Sequence, residues 1–156
     1  MISAAWSLKL IYAQSVVEAG ECMVKLNDEI KSEFNKMRLF MMATASKDGV
    51  PNVVPLGMVI LQADGETIWA VDNFMNKTLA NVKENPKVAI VVFNPDGKES
   101  YQIKGSVTVE NSGKDYEAAV KFAHEKRETL PAKNLLKIKI TDIFYVSPGP
   151  NAGKRV

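Results

Sequence analysis

Cysteine and histidine are almost missing from this chain of 156 residues, which holds one of each, Cys22 and His124. A single cysteine excludes an internal disulfide framework and a thiolate metal cluster. A single histidine excludes a multi-histidine zinc or iron site within one chain. No apolar run reaches the ~18 residues that a membrane-spanning helix needs. Like charges do not cluster, and the formal net charge is only +2. The basic stripe expected of a nucleic-acid binder is therefore lacking. The first 22 residues are mildly apolar, but Lys9 interrupts them, no basic segment precedes them, and Glu18 and Glu21 follow. They make a poor secretory signal. Residues 1–25 are expected to form an N-terminal extension. It is either an extra helix or a stretch lying upstream of a true start at Met23. A reducing cytoplasm is the expected compartment, and no membrane or nucleic-acid partner is foreseen.

What is present suits one domain with a sizeable core: 46% hydrophobic and 24% charged residues. Leu26, Ile30, Phe34 and Met37 recur at helical spacing, and Asn27 or Asp28 can cap the helix they define. The period then changes. Residues 38–46 read as a strand, and Lys47-Asp48-Gly49 as a hairpin turn. Residues 50–61 form the returning strand, which bends or lies at an edge because Pro51 and Pro55 cannot donate to a ladder. Asp64-Gly65 turns the chain into a third strand at 67–71. A short helix at 77–84 ends at Asn85-Pro86. Residues 87–93 are apolar on both faces, as in a central strand. From Tyr101 to Glu110 the alternation is clean, with Tyr101 on the apolar, core-facing side. Ser112 opens a third helix with Tyr116, Val120 and Ala123 inward. Leu136, Ile138 and Ile140 mark a last strand whose alternation slips near Asp142, as at a bulge. The tail, 147–156, is rich in Pro and Gly and offers no core. Six antiparallel strands with peripheral helices describe a mainly-β, α+β barrel over residues 26–146.

The informative stretch runs from Ala70 to Thr78. A strand ends, a polar loop follows and a helix begins. Helix N-termini carry unpaired N–H groups and suit phosphate. Asn76 stands at the cap position, Lys77 adds a full charge and Thr78 a hydroxyl donor. By spacing alone, the same residues also describe a plain capped helix with a solvated lysine. Elsewhere, His124 lies among Glu125, Lys126 and Arg127 and reads as solvated. Asp115 and Glu117 suit the first turn of a helix. Cys22 has no neighbouring histidine to make it a nucleophile.

The segment 76–86, with Lys77-Thr78, Asn81-Val82 and Asn85-Pro86 before an apolar strand, resembles the pyridoxamine 5′-phosphate oxidase-like FMN-binding split barrels. It is especially similar to their small bacterial FMN-binding members. Asp48-Gly49-Val50-Pro51 looks like that family's first hairpin, and Lys104-Gly105 like its basic residue before glycine. The resemblance covers roughly residues 37–146. It implies a split barrel of Greek-key character and a non-covalently bound FMN. Asn76, Lys77 and Thr78 would hold the phosphate. Val71, Asp72 and Asn73 would line the ribityl chain and flavin edge. Pro55, Leu56 and Gly57 would lie against the isoalloxazine ring. It further implies a homodimer with flavins between the subunits, so that Lys104, Tyr101 or the tail could reach a partner's site. Asn76-Lys77 replaces the Arg-Lys pair of the oxidases, and their C-terminal Trp-x-x-x-Arg-Leu segment is absent. Both departures argue against pyridoxamine-phosphate oxidation itself. The expected function is an FMN-dependent oxidoreductase or electron carrier with no assigned catalytic side chain and no metal. The rivals are a deazaflavin- or haem-handling enzyme on the same barrel, and a cofactor-free dimeric sensor.

Overall fold

The structure, a computed structural model, describes residues 24–96 and 99–156. The expectations for residues 1–23, Cys22 and Met23 included, fall outside the described residues. Asn27 starts the first helix, α1 (Asp28–Lys36), by accepting the Ile30 N–H on Oδ1 at 2.9 Å. Asp28 and Glu29 sit in its first turn and Lys36 in its last, the arrangement the helix dipole favours. Its apolar stripe, Ile30 and Phe34 with Leu26 before it, is fully buried, and the Phe34 ring lies 4.5 Å from that of Phe40. Three helices accompany seven strands among the described residues: β1 (Phe40–Ala45), β2 (Pro51–Leu56), β3 (Val59–Leu61), β4 (Thr67–Asp72), α2 (Lys77–Glu84), β5 (Lys87–Val92), β6 (Tyr101–Glu110), α3 (Lys114–Lys126) and β7 (Asn134–Tyr145).

All pairings are antiparallel, and the strand order is β2-β1-β5-β6-β7-β4-β3. The run β5-β6-β7-β4 is a Greek key. The expected count of six strands is corrected to seven, because the segment read as one strand over 50–61 is two. Leu56 pairs with Phe40, then Gly57 and Met58 cross over, and Val59 pairs with Ala70. One short segment thereby forms both edges of the sheet. Pro51 and Pro55 lie on the β2 edge, where a missing donor costs no ladder bond. Two neighbouring edges that are consecutive in the chain make a barrel that is split rather than closed.

The interior is filled by side chains. Met42, Ile68, Ile90, Ile103, Ile138, Ile140 and Ile143 are fully buried, and α1 stoppers one end of the barrel. The slip read near Asp142 is a bulge: Lys104 faces Asp142, Gly105 faces Ile140, and Thr141 is left over. Alternation resumes beyond it, so β7 runs on past the stretch that the sequence pattern marked. From Ile143 to Tyr145 β7 has only β6 beside it, and the tail takes the free side. The Val156 N–H donates to Ile143 O at 2.9 Å, and Arg155 pairs with Asp142 at 3.0 Å. The tail adds backbone pairing, though all its residues after Ser147 remain exposed. Helix α3 begins at Lys114, two residues later than read, after Gly113 at φ 96°. Ala119 and Ala123 pack it on Val71 and Leu135. Among the described residues, no helix is long and apolar enough to cross a membrane.

Tyr101 is core, as its alternation indicates, and its ring lies 5.6 Å from Tyr145. Burial, reinforced by the neighbouring Glu29 carboxylate, pushes its phenol up to about 12. The proton is held more tightly in the folded than in the unfolded chain. Stability from this group is therefore complete below about pH 10 and falls between about pH 10 and pH 12. Denaturant titrations at stepped alkaline pH should show that decline, and Tyr101→Phe should flatten it.

Candidate functional site

The loop after β4 is pinned from inside. The buried Asp72 carboxylate accepts the Met75 N–H on Oδ1 at 2.8 Å and the Asn134 side-chain N–H on Oδ2 at 2.6 Å. Asn73 Oδ1 accepts the Ala132 N–H at 3.1 Å. Between these anchors Phe74 stands 74% exposed. The pinned loop faces the β2–β3 crossover across a groove of about 230 Å³. Val54, Pro55, Leu56, Gly57 and Met58 form one wall, and Val71, Asn73, Phe74 and Met75 the other. The groove therefore lies in the split of the barrel.

Helix α2 starts where the loop ends. Asn76 occupies the cap position, but its backbone is helical and its side chain makes no capping bond. The first internal bond of α2 runs from the Ala80 N–H to Asn76 O. The N–H groups of Lys77, Thr78 and Leu79 are thereby left for an outside acceptor. Lys77 is exposed and has no ion-pair partner among the described residues. Thr78 turns inward and is 1% exposed. Its Oγ1 accepts from Asn52 Nδ2 at 3.1 Å, and the same nitrogen lies 3.2 Å from Thr44 Oγ1. Asn81 Nδ2 also donates to Thr44 Oγ1, at 3.1 Å. At the other end of α2, the Asn85 amide donates to Ala45 O at 3.2 Å.

Five residues singled out in the sequence, Pro55, Leu56, Gly57, Val71 and Asn73, thus share one groove. Asn76 and Lys77 stand exposed on the chain that leaves it. Asp72 points away, its oxygens committed to the loop and to β7. Lys104 lies on the outer face of β6, its Nζ 4.9 Å from the centre of the Phe144 ring, and does not line the groove of its own chain. His124 is exposed on α3, its Nε2 3.0 Å from Leu130 O, and does not line the groove either. Sequence reasoning gave no site role to Val54, Met58, Phe74 and Met75 on the walls, to Asn52 and Thr44 beneath α2, or to Asn81 on the inner side of α2. Asn52 left a signal: it shares the inward parity of Val54 and Leu56, where a polar side chain needs a partner.

A larger polar groove, about 390 Å³, lies over β3, β4, β6 and β7 beside Trp69. Three of its charges are spent on one another: Lys137 Nζ is 2.6 Å from Asp115 and 3.1 Å from Glu110. Those two carboxylates hold the lysine above its ordinary pKa. No cluster of His, Cys, Asp and Glu suited to a metal occurs among the described residues.

A plugged antiparallel barrel that stays open between two edges, with a groove in the opening and an uncapped helix start beside it, is a split barrel. The chain belongs to the pyridoxamine 5′-phosphate oxidase-like family, whose model (Pyridoxamine 5'-phosphate oxidase) matches residues 26–147. An uncharacterised protein of Methanocaldococcus jannaschii is 38% identical over 138 residues, 88% of this chain and 91% of that one. The crystal structure of HupZ from Group A Streptococcus is 30% identical, with a TM-score of 0.71 over 82% of this chain and 99% of HupZ. An FMN-binding protein from Syntrophomonas wolfei shares the fold at 21% identity and a TM-score of 0.64, covering 90% of this chain and 95% of that one.

Proposed function

We propose that this protein is a flavoprotein that binds FMN non-covalently and serves as an oxidoreductase or electron carrier. The observation that carries the reading is the meeting of the apolar groove with the uncapped start of α2. The donor set fits the cofactor. Three first-turn N–H groups and the Lys77 ammonium are complementary to a phosphate monoester. Gly57 lets a flat ring approach the backbone, and Pro55 presents no N–H to it. When bound, FMN supplies the electron or hydride transfer, while the protein fixes its position and polarity. Val71 and Asn73 would border the ribityl chain and flavin edge, and Thr78 would add its backbone N–H to the phosphate cradle. Asp72 would act through the loop it holds.

A groove of about 230 Å³ is smaller than the ~300 Å³ at which small-molecule sites begin. A second copy of the chain would complete it. The outer face of β2-β1-β5 supports such a dimer: Met41 and Val53 are exposed, and Ala43, Pro55, Ala89 and Val91 share their side of the sheet. Lys104 lies on the same side of β6, where it would reach a partner's site.

Two solved proteins of the same fold are HutZ, the haem storage protein from Vibrio cholerae, and an F420 reductase, at 15% and 20% identity. The phosphate-type cradle favours FMN over haem, and the lone described histidine, His124, lies away from the groove.

FMN added to apoprotein at ~100 times its dissociation constant should stabilise the fold by about 2.7 kcal/mol, read as a rise in melting temperature. Lys77→Ala should weaken FMN binding about tenfold, the scale of one lost charge-assisted hydrogen bond. No thermal shift with FMN would remove the flavin reading. An unchanged response of the Lys77 variant would remove the phosphate assignment alone.

A further inference from the structure

Helix α2 is held to the barrel by a polar relay that runs beneath its first turn. Asn52 on β2 splits its amide between Thr44 Oγ1 on β1 and Thr78 Oγ1 on α2, at 3.2 and 3.1 Å. Asn81, one turn further along α2, donates to the same Thr44 oxygen at 3.1 Å. Thr44, Thr78 and Asn81 are buried, so these bonds form out of water, where an unmade one is costly. Among the apolar residues of α2 only Val82 is buried, with Leu79 half-buried against the core, so hydrophobic contact alone anchors the helix at two points. The β2 strand that carries Asn52 also carries Pro55 and Leu56 of the groove wall. Two amides thus tie the groove wall to the helix start.

We infer that Asn52 is a positioning residue for the anion end of the cofactor and acts through the buried Thr78 hydroxyl. This rests on the proposed FMN site. Thr78 serves that site from below: its side chain locks the first turn, so that the N–H groups of Lys77, Thr78 and Leu79 and the Lys77 ammonium converge on one acceptor. The relay has a direction. Asn52 offers N–H to Thr78, so the threonine oxygen is the acceptor. An aspartate at 52 accepts only, which reverses the bond and places a negative charge under the anion.

The test compares FMN with riboflavin, which lacks the phosphate, by titrating flavin fluorescence against apoprotein. The quantity read is the ratio of the riboflavin to the FMN dissociation constant. Asn52→Ala and Thr78→Val should each lower that ratio ~10-fold, on the scale of a buried hydrogen bond. The double variant should lower it by the same ~10-fold and not ~100-fold, because both changes break one link. Asn52→Asp should lower it further than Asn52→Ala. Thr78→Ser keeps the acceptor and should leave the ratio unchanged, which also covers the case in which Thr78→Val fails to fold. Melting of each apoprotein separates a misplaced helix from an unfolded chain. A wild-type ratio near one would overturn the phosphate site, and this inference with it. A high wild-type ratio that survives Asn52→Ala, or losses that multiply in the double variant, would overturn the relay alone. Multiplying losses would mean that Asn52 and Thr78 act independently.

Discussion

Val53→Glu is expected to leave a monomer that no longer retains FMN. Val53 is 62% exposed near the middle of the outer face of β2, and Met41, 46% exposed, shares that face on β1. In a symmetric pair the same patch meets itself, so one substitution brings two carboxylates into an apolar contact. Like charges brought together across an interface cost several kcal/mol, which is more than about 100-fold in dimerisation. Flavin affinity should fall with it if the partner completes the groove. If the proposed dimer forms through this face, sedimentation should show a monomer, and fluorescence of added FMN should no longer be quenched. The fold should survive, because Val53 contributes nothing to the interior. A Val53→Glu protein that remains dimeric and binds FMN would place the interface elsewhere.

Gly105→Ala is expected to cost about 3 kcal/mol of stability, the upper range for overpacking a filled interior. A Cβ at this position would lie 2.6 Å from Ile138 Cγ2 and 2.6 Å from Lys139 O. The first neighbour is a locked core side chain and the second is backbone, so neither yields cheaply. The site is also where the register between β6 and β7 shifts, and the bulge fixes how closely the two strands approach there. At ~3 °C per kcal/mol for a chain of this size, the melting temperature should fall by about 10 °C. Circular dichroism on heating would measure it. A variant that melts with the wild type would show that β6 can draw back from β7, and that the glycine has no packing role.

Much of this architecture is legible in the residue pattern. The bounds of α2 and β6, a cap at Asn27 or Asp28, the inward Tyr101 and the irregularity beside Asp142 all follow from short-range periodicity and punctuation. The β2–β3 break does not. Gly57 and Met58 mark a bend, but which strand takes each half depends on distant partners: Phe40, 17 residues before Gly57, and Ala70, 12 residues after Met58. Likewise Pro55, Leu56 and Gly57 were grouped with Val71 and Asn73 only through a family likeness, and the structure brings the two sets to one groove by folding. The exceptions among the candidates have a common physical cause. Asp72 and Thr78 carry the right chemistry for a ligand, yet their side chains are claimed by Asn134, Met75 and Asn52. Of these, only Met75 lies within a turn of its partner. A sequence shows what a polar group could bond, and the fold decides which bonds it keeps.

The stoppered interior has a consequence for how such proteins diversify. Because Leu26, Ile30 and Phe34 close one end and isoleucines fill the lumen, no ligand has to thread the centre for the domain to hold together. If the split receives the cofactor as proposed, substitutions there, around Gly57 or Phe74, would alter what it takes while the parts that confer stability are left alone. Recognition and folding would then be decoupled, and one scaffold could be refitted for unrelated prosthetic chemistry by changing a handful of rim residues.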